Sequence, residues 1–242
     1  MTFTTINTGD KIMFKGINTR LATAWDTYYR FNPSKNFKVY GNAMSLLYGD
    51  NFANNSEFPS GSSNNFAGLF YGTTTLTDAC NLILPATRCT TGCYNGMFRS
   101  CTNLTVAPEL PATQSATDCY SSMFEAAINL EVAPEINLTN MSQNCCKRMF
   151  CMNRSSKITT PKMTKSPILR CATGATGCYE EMFKGNGNIV EITCLMTSGY
   201  QCSNWVSNIS STGTFKKAAS ASWSTGASGI PSGWTVVDYV ES

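Results

Sequence analysis

Apolar residues recur along the chain in a fixed order. Leu69-Phe70, Met97-Phe98, Met123-Phe124, Met149-Phe150 and Met182-Phe183 mark one recurring position, with the phenylalanines 28, 26, 26 and 33 residues apart. Six residues after four of them comes an aliphatic residue: Leu76, Leu104, Leu130 and Ile189. Phe150 is followed at eight residues by Ile158, which fits a two-residue insertion. Short extended stretches follow, ending in Leu84-Pro85, Leu110-Pro111 and Ile136-Asn137, with Ala107-Pro108 echoed by Ala133-Pro134. A cysteine precedes each later Met-Phe pair, at Cys93, Cys119, Cys145 and Cys178. Several fixed positions at one period of about 26 residues indicate a repeat architecture.

Within one unit, Cys119, Tyr120, Met123 and Phe124 stand at i, i+1, i+4 and i+5, which predicts a two-turn helix with one apolar face. Residues 104–110 are too short and too punctuated by proline for a helix, and read as a short strand. Neither piece can bury a face alone. Stacked units would share one core and align their strands in a parallel sheet at about 4.8 Å spacing. The expected fold class is therefore an α/β repeat solenoid with short parallel strands and short helices. About five repeats would span residues 66–202. Residues 1–65 would form a β-rich N-terminal cap, with strand-like pieces at 11–14 and 37–40 and the apolar run 44–48. Residues 203–242 would form a C-terminal cap closed by Trp205, Phe215, Trp223 and Trp234.

Composition narrows the chemistry. Charged residues are only 14% and the net charge is +3, which gives no electrostatic case for nucleic acid. The complete absence of histidine excludes Ser-His-Asp and Cys-His catalysis and imidazole metal ligands. The first residues lack a basic n-region and an apolar h-region, and no apolar run reaches the ~20 residues of a membrane span, so no membrane insertion is expected.

The 12 cysteines read first as a buried ladder, because free cysteine is among the most buried residue types. Adjacent helices pack ~8–10 Å apart, while bridged Cα atoms lie within ~7 Å, so disulfides along Cys93, Cys119, Cys145 and Cys178 are not expected. Cys80 with Cys89, and Cys145 or Cys146 with Cys151, remain open. The Cys89/Cys93 spacing is a weak zinc signal, and no metal or other cofactor is expected. Asp78, Glu109, Glu135 and Glu191 lie near equivalent places in the extended arms, with Lys162 in the irregular unit. They form a candidate binding stripe on the sheet face, against the plainer reading of solvated charges. Tyr94, Tyr120 and Tyr179 either stack on sugars or wedge between neighbouring units with their hydroxyls reaching water.

The string Met97, Phe98, Cys101, Leu104 resembles the Ala-Phe-x-x-Cys-x-x-Leu core of the Treponema-type leucine-rich repeat. The segment CYNGMFRSCTNLTVAPELPAT, Cys93 to Thr113, is similar to repeats of BspA-like surface proteins of Bacteroidetes. The flanks NAMSLLYGDNF (Asn42 to Phe52), TGTFKKAA (Thr212 to Ala219) and GIPSGWTVVD (Gly229 to Asp238) resemble segments before and after the repeats in those proteins. The resemblance implies a leucine-rich-repeat solenoid with no catalytic residues, located extracellularly or at the cell surface. It implies adhesion to a protein or glycan on a host or bacterial surface. The alternative is a phage virion component, a tail or capsid-surface protein contacting the bacterial host, and oligomeric if virion-borne.

Overall fold

The computed structural model describes residues 9–24, 27–152, 160–199 and 201–241. Its elements are β1 (Ala22–Ala24), β2 (Thr27–Tyr28), β3 (Phe37–Asn42), the single-turn helix α1 (Ser45–Tyr48), a 3-10 turn (Gly49–Asn54), β4 (Leu76–Ile83), β5 (Lys165–Leu169), β6 (Glu191–Cys194), β7 (Thr214–Lys217) and β8 (Thr235–Asp238). β1 and β2 are antiparallel, β3 and β4 form a parallel pair, and β5-β6-β7-β8 make a four-stranded parallel sheet. Between these sheets, Asp78, Val106 and Val132 are joined by single parallel bridges. Ile158 lies outside the described residues.

Among the described residues the expected two-turn helices do not form. Each Met-Phe stretch is instead a run of linked turns, bonded to the next unit in the manner of a sheet. In residues 92–101 the amides of Gly92, Tyr94, Gly96, Phe98 and Ser100 donate to the carbonyls of Thr117, Cys119, Ser121, Met123 and Glu125 of the following unit. The intervening amides, from Cys93 to Cys101, donate to the carbonyl three residues back. These ten bonds measure 2.7–3.2 Å. Alternate groups thus bond within the unit and between units, which satisfies the backbone of a fully buried segment.

This path requires a left-handed backbone at every fourth residue. Positive φ occurs at Gly92, Gly96 and Ser100, at Asp118, Ser122 and Ala126, and at Asn144 and Arg148. An α-helix cannot contain such residues. At Gly96, with φ of 60°, the missing Cβ removes the steric cost; Ser122 and Arg148 hold the same conformation with a side chain.

The core follows from this bonding. Phe70, Phe98, Phe124, Phe150 and Phe183 stack in one column, centroids 5.4–5.9 Å apart and planes within 8°. Phe31 extends the column at the N-terminal end, and Trp205 at the other. Such contacts add about 0.5–1.5 kcal/mol per pair beyond area burial. The bonding runs on past residue 202: Ser203, Trp205 and Ser207 accept from Glu181, Phe183 and Gly185. It also runs before residue 66, where Leu21 donates to Asn65 and Phe31 to Leu69. Residues 11–14, expected as a strand, are irregular, whereas residues 37–40 lie within β3 and 45–48 form α1.

Direct bonding between units also removes the spacing argument against ladder disulfides. The Tyr94 amide lies 3.0 Å from the Cys119 carbonyl, so neighbouring units sit at sheet spacing, which a disulfide can span. All twelve cysteines are nevertheless free thiols. Cys93, Cys119, Cys145 and Cys178 are fully buried, as a ladder of small apolar residues requires. Tyr94, Tyr120 and Tyr179 are buried too, so their hydroxyls do not reach water. The Tyr94 and Tyr120 hydroxyls make no hydrogen bond, and the groups around them are the thiols of Cys89, Cys93 and Cys119. Tyr179 Oη contacts Met141 Sδ at 3.8 Å.

Burial sets the pH response. Loss of hydration pushes Cys101, Cys178 and Cys194 up to about 12 and Cys151 and Cys171 up to about 11, from an ordinary value of 9.0. Below the unfolded thiol pKa both states are protonated and full stability is present. Above it the unfolded chain releases protons that the native chain retains, so stability is expected to fall as pH rises through 9 toward 11. Urea unfolding under reducing conditions at stepped pH checks this; a flat profile would contradict it. Tyr94→Phe removes a buried hydroxyl without a hydrogen bond. It is expected to stabilise the protein by about 1 kcal/mol, read from the urea midpoint.

Candidate functional site

The extended arms supply the sheet-side surface. Along residues 104–114 the pattern alternates: Leu104, Leu110 and Ala112 point into the core, while Val106, Glu109, Pro111 and Thr113 are exposed. The next arm repeats this with Leu130, Ile136 and Leu138 inside and Val132, Glu135, Asn137 and Thr139 outside. Registration is fixed at both ends of the arm. Val106 bridges Val132, and Thr139 donates to the Thr113 carbonyl at 2.8 Å. Glu109 and Glu135 therefore fall on consecutive units in one column, about 5 Å apart by strand spacing.

The other predicted site residues are placed differently. Asp78 bridges Val106, three residues short of the Glu109 position, and pairs with Lys38 at 3.2 Å. Its carboxylate accepts the Cys80 amide at 2.9 Å, and this bond, with the thiol of Cys80 and with Lys38, holds it below the usual carboxylate range. Glu191 is opposite Lys165 and Thr214, and contacts Lys165 Nζ at 3.7 Å and Lys216 Nζ at 3.2 Å. It does not share the Glu109/Glu135 column. Lys162 is exposed, and its amide donates to the Ile128 carbonyl. Among the described residues, Glu109, Glu135 and Lys162 form no ion pair. The structure thus brings together two of the five residues, beside two exposed valines: Val106 at 44% and Val132 at 76%.

Sequence reading missed a second charged feature, on the turn side. The Arg99 guanidinium lies over the Tyr71 ring at 5.4 Å and contacts Glu125 at 3.3 Å. Arg148 reaches Glu125 at 2.6 Å and Glu181 at 3.4 Å, and Lys184 reaches Glu181 at 2.6 Å. Charges alternate in sign across four units. Glu125 is only 7% exposed. The signal in the sequence was a charged residue beside four of the core phenylalanines: Arg99 and Glu125 one residue after theirs, Arg148 and Glu181 two residues before theirs. Opposite charges on adjacent units clip them together at the edge of the turn segment.

The thiols offer little chemistry. Cys80 is the exposed cysteine, and hydrogen bonding to Asp78 raises its pKa, so its thiolate is disfavoured. No group of three or more Cys, Asp or Glu residues able to hold a metal occurs among the described residues. An open recess of about 570 Å³ lies between two arms, lined by small polar and apolar residues including Thr139, Asn140 and Gly174. No described helix is long and apolar enough to cross a membrane. Compared with known proteins, the chain matches no family model, no curated protein and no solved structure.

Removing Glu125 takes away the shorter contact of Arg148 and leaves it the longer one to Glu181 at 3.4 Å. Glu125→Ala is expected to cost roughly 2 kcal/mol, the worth of a charge-assisted hydrogen bond in a largely dehydrated position. The exposed pair Lys15–Asp50, with 65% and 83% of its side chains accessible, serves as the control and should contribute under about 1 kcal/mol. Urea denaturation of both variants makes the comparison.

Proposed function

We propose that this chain is a leucine-rich-repeat-type solenoid acting as a non-enzymatic recognition module, displayed on a bacterial surface and binding a protein or glycan through its sheet face. One observation carries the reading. Glu109 and Glu135 stand exposed and without an ion pair among the described residues, on consecutive units, next to exposed Val106 and Val132. Charges elsewhere on the same face are already matched, as Asp78 is by Lys38 and Glu191 by Lys165 and Lys216. The stripe therefore suits a ligand with its own donors or cations and some apolar surface. Every unit beneath it is bonded to its neighbours, so little ordering entropy opposes binding.

Binding of the labelled full chain to mucin, to matrix proteins and to intact Bacteroidetes cells tests this reading. Binding to mucin or matrix is expected, with a loss of tenfold or more in Glu109→Lys/Glu135→Lys, equivalent to about 1.4 kcal/mol. Thermal stability should stay unchanged, because both side chains are solvated. Unaltered binding by the double variant would move the site off this face. Binding to bacterial cells alone would favour the virion component.

A further inference from the structure

The two ends of the stack differ from its middle. At the C-terminal end, β8 is hydrogen-bonded to β7 alone among the described residues, and all four of its residues are exposed. Its sequence Thr235-Val236-Val237-Asp238 is rich in β-branched residues and carries no proline, lysine or bulge, the usual devices that protect a sheet edge. Val236 and Val237 are 43% and 38% exposed, and nearby Val240 is 82% exposed. At the N-terminal end, β3 pairs with β4 alone among the described residues. In the segment whose Lys11 lies over the Tyr40 ring and whose Gly16 bonds Ser45 and Gly49, Met13 and Ile17 are about nine-tenths exposed, and Tyr29 and Tyr40 are largely exposed.

Asp238 and Glu241 at the C-terminal end are paired with Lys217 and Arg170 at 3.0 and 3.2 Å, so no bare charge opposes a neighbour there. Strand direction is compatible between the two ends. β3 runs parallel to β4, β4 is bridged in parallel through Val106 to Val132, and β5 to β8 are all parallel to one another. A second copy stacked on β8 by its own β3 end would continue the sheet in the same sense.

We propose that the chain self-associates head to tail, with the β8 edge of one copy seated on the β3 end of the next. Head-to-tail stacking continues the parallel order of β5 to β8, whereas a two-fold tail-to-tail contact would set two β8 edges antiparallel. Such a contact is heterologous, so it leaves one free end of each kind and permits further growth. For a surface-binding module this would multiply the Glu109/Glu135 stripe along one face. The association itself does not depend on that stripe binding anything.

Sedimentation velocity of the full chain across the micromolar range is the test. The mean mass is expected to rise above 26.3 kDa with concentration. Val236→Lys/Val237→Lys blocks the β8 end, and Met13→Asp/Ile17→Asp the other; all four positions are exposed, so near-UV circular dichroism should be unchanged. Each variant alone should sediment at 26.3 kDa, and their equimolar mixture as a pair of twice that mass. A wild-type chain that stays at 26.3 kDa throughout overturns the proposal. So does self-association of the N-terminal variant alone, which would show tail-to-tail pairing.

Discussion

Backbone hydrogen bonding between buried turn segments is the constraint on which this molecule rests. A ten-residue segment under a core of phenylalanine and methionine cannot leave its amides without partners. Alternation resolves this: one amide bonds back three residues and the next bonds across to the following unit. Bonds across units set a sheet-like separation. That separation places each phenylalanine within 5.4–5.9 Å of its neighbour and turns five separate side chains into one column. The arms inherit the same separation, and with it the register of Val106 on Val132.

The thiol ladder and the ion ladder are two consequences of that register. Cysteines at equivalent positions stack in the dry interior, where burial pushes the thiols of Cys93, Cys119 and Cys178 up. Charged residues at equivalent positions stack at the edge, where alternation of sign makes stacking favourable and like charges would oppose it. Glu125 between Arg99 and Arg148 shows the favourable case. Glu109 beside Glu135 is the opposite case, two carboxylates in one column on the sheet face. A stacked scaffold supplies no reason of its own for such a pair, which is why that stripe is the stronger candidate for binding.

Stacking also explains why the ends matter. Each interior unit is bonded on both sides, but the terminal units have a neighbour on one side only. The N-terminal end covers its core with Phe14 and Phe31, and the C-terminal end with Trp205, Phe215 and Trp223. Those aromatics close the apolar interior. They do not cap the edge of β8, whose outward backbone groups remain open to another strand.

Much of this was legible in the sequence. The recurring Phe, Leu and Cys positions identified the units and the buried residues, because a side chain that must face the core at each period leaves a fixed apolar mark. The helix assignment failed because Cys119, Tyr120, Met123 and Phe124 satisfy a helical spacing and a turn ladder equally well. A second mark was present and unread: Gly, Asn, Asp or Ser at most of the four-residue steps, as at Gly92, Gly96 and Ser100, which suits left-handed backbone and not a helix, although Ala126 and Arg148 break it. Of the candidate site, Glu109 and Glu135 could be aligned by counting from Val106 and Val132. The same counting sets Glu191 apart, because it stands two residues after Ile189, whereas Glu109 and Glu135 stand five after Leu104 and Leu130. The sequence by itself determined which residues are buried and how often they recur, since burial follows from side-chain chemistry. The separation of the units, the meeting of Arg148 with Glu125 and the open edge of β8 were decided only by the tertiary structure. Each depends on which distant backbone groups bond to one another, and side-chain pattern does not specify that.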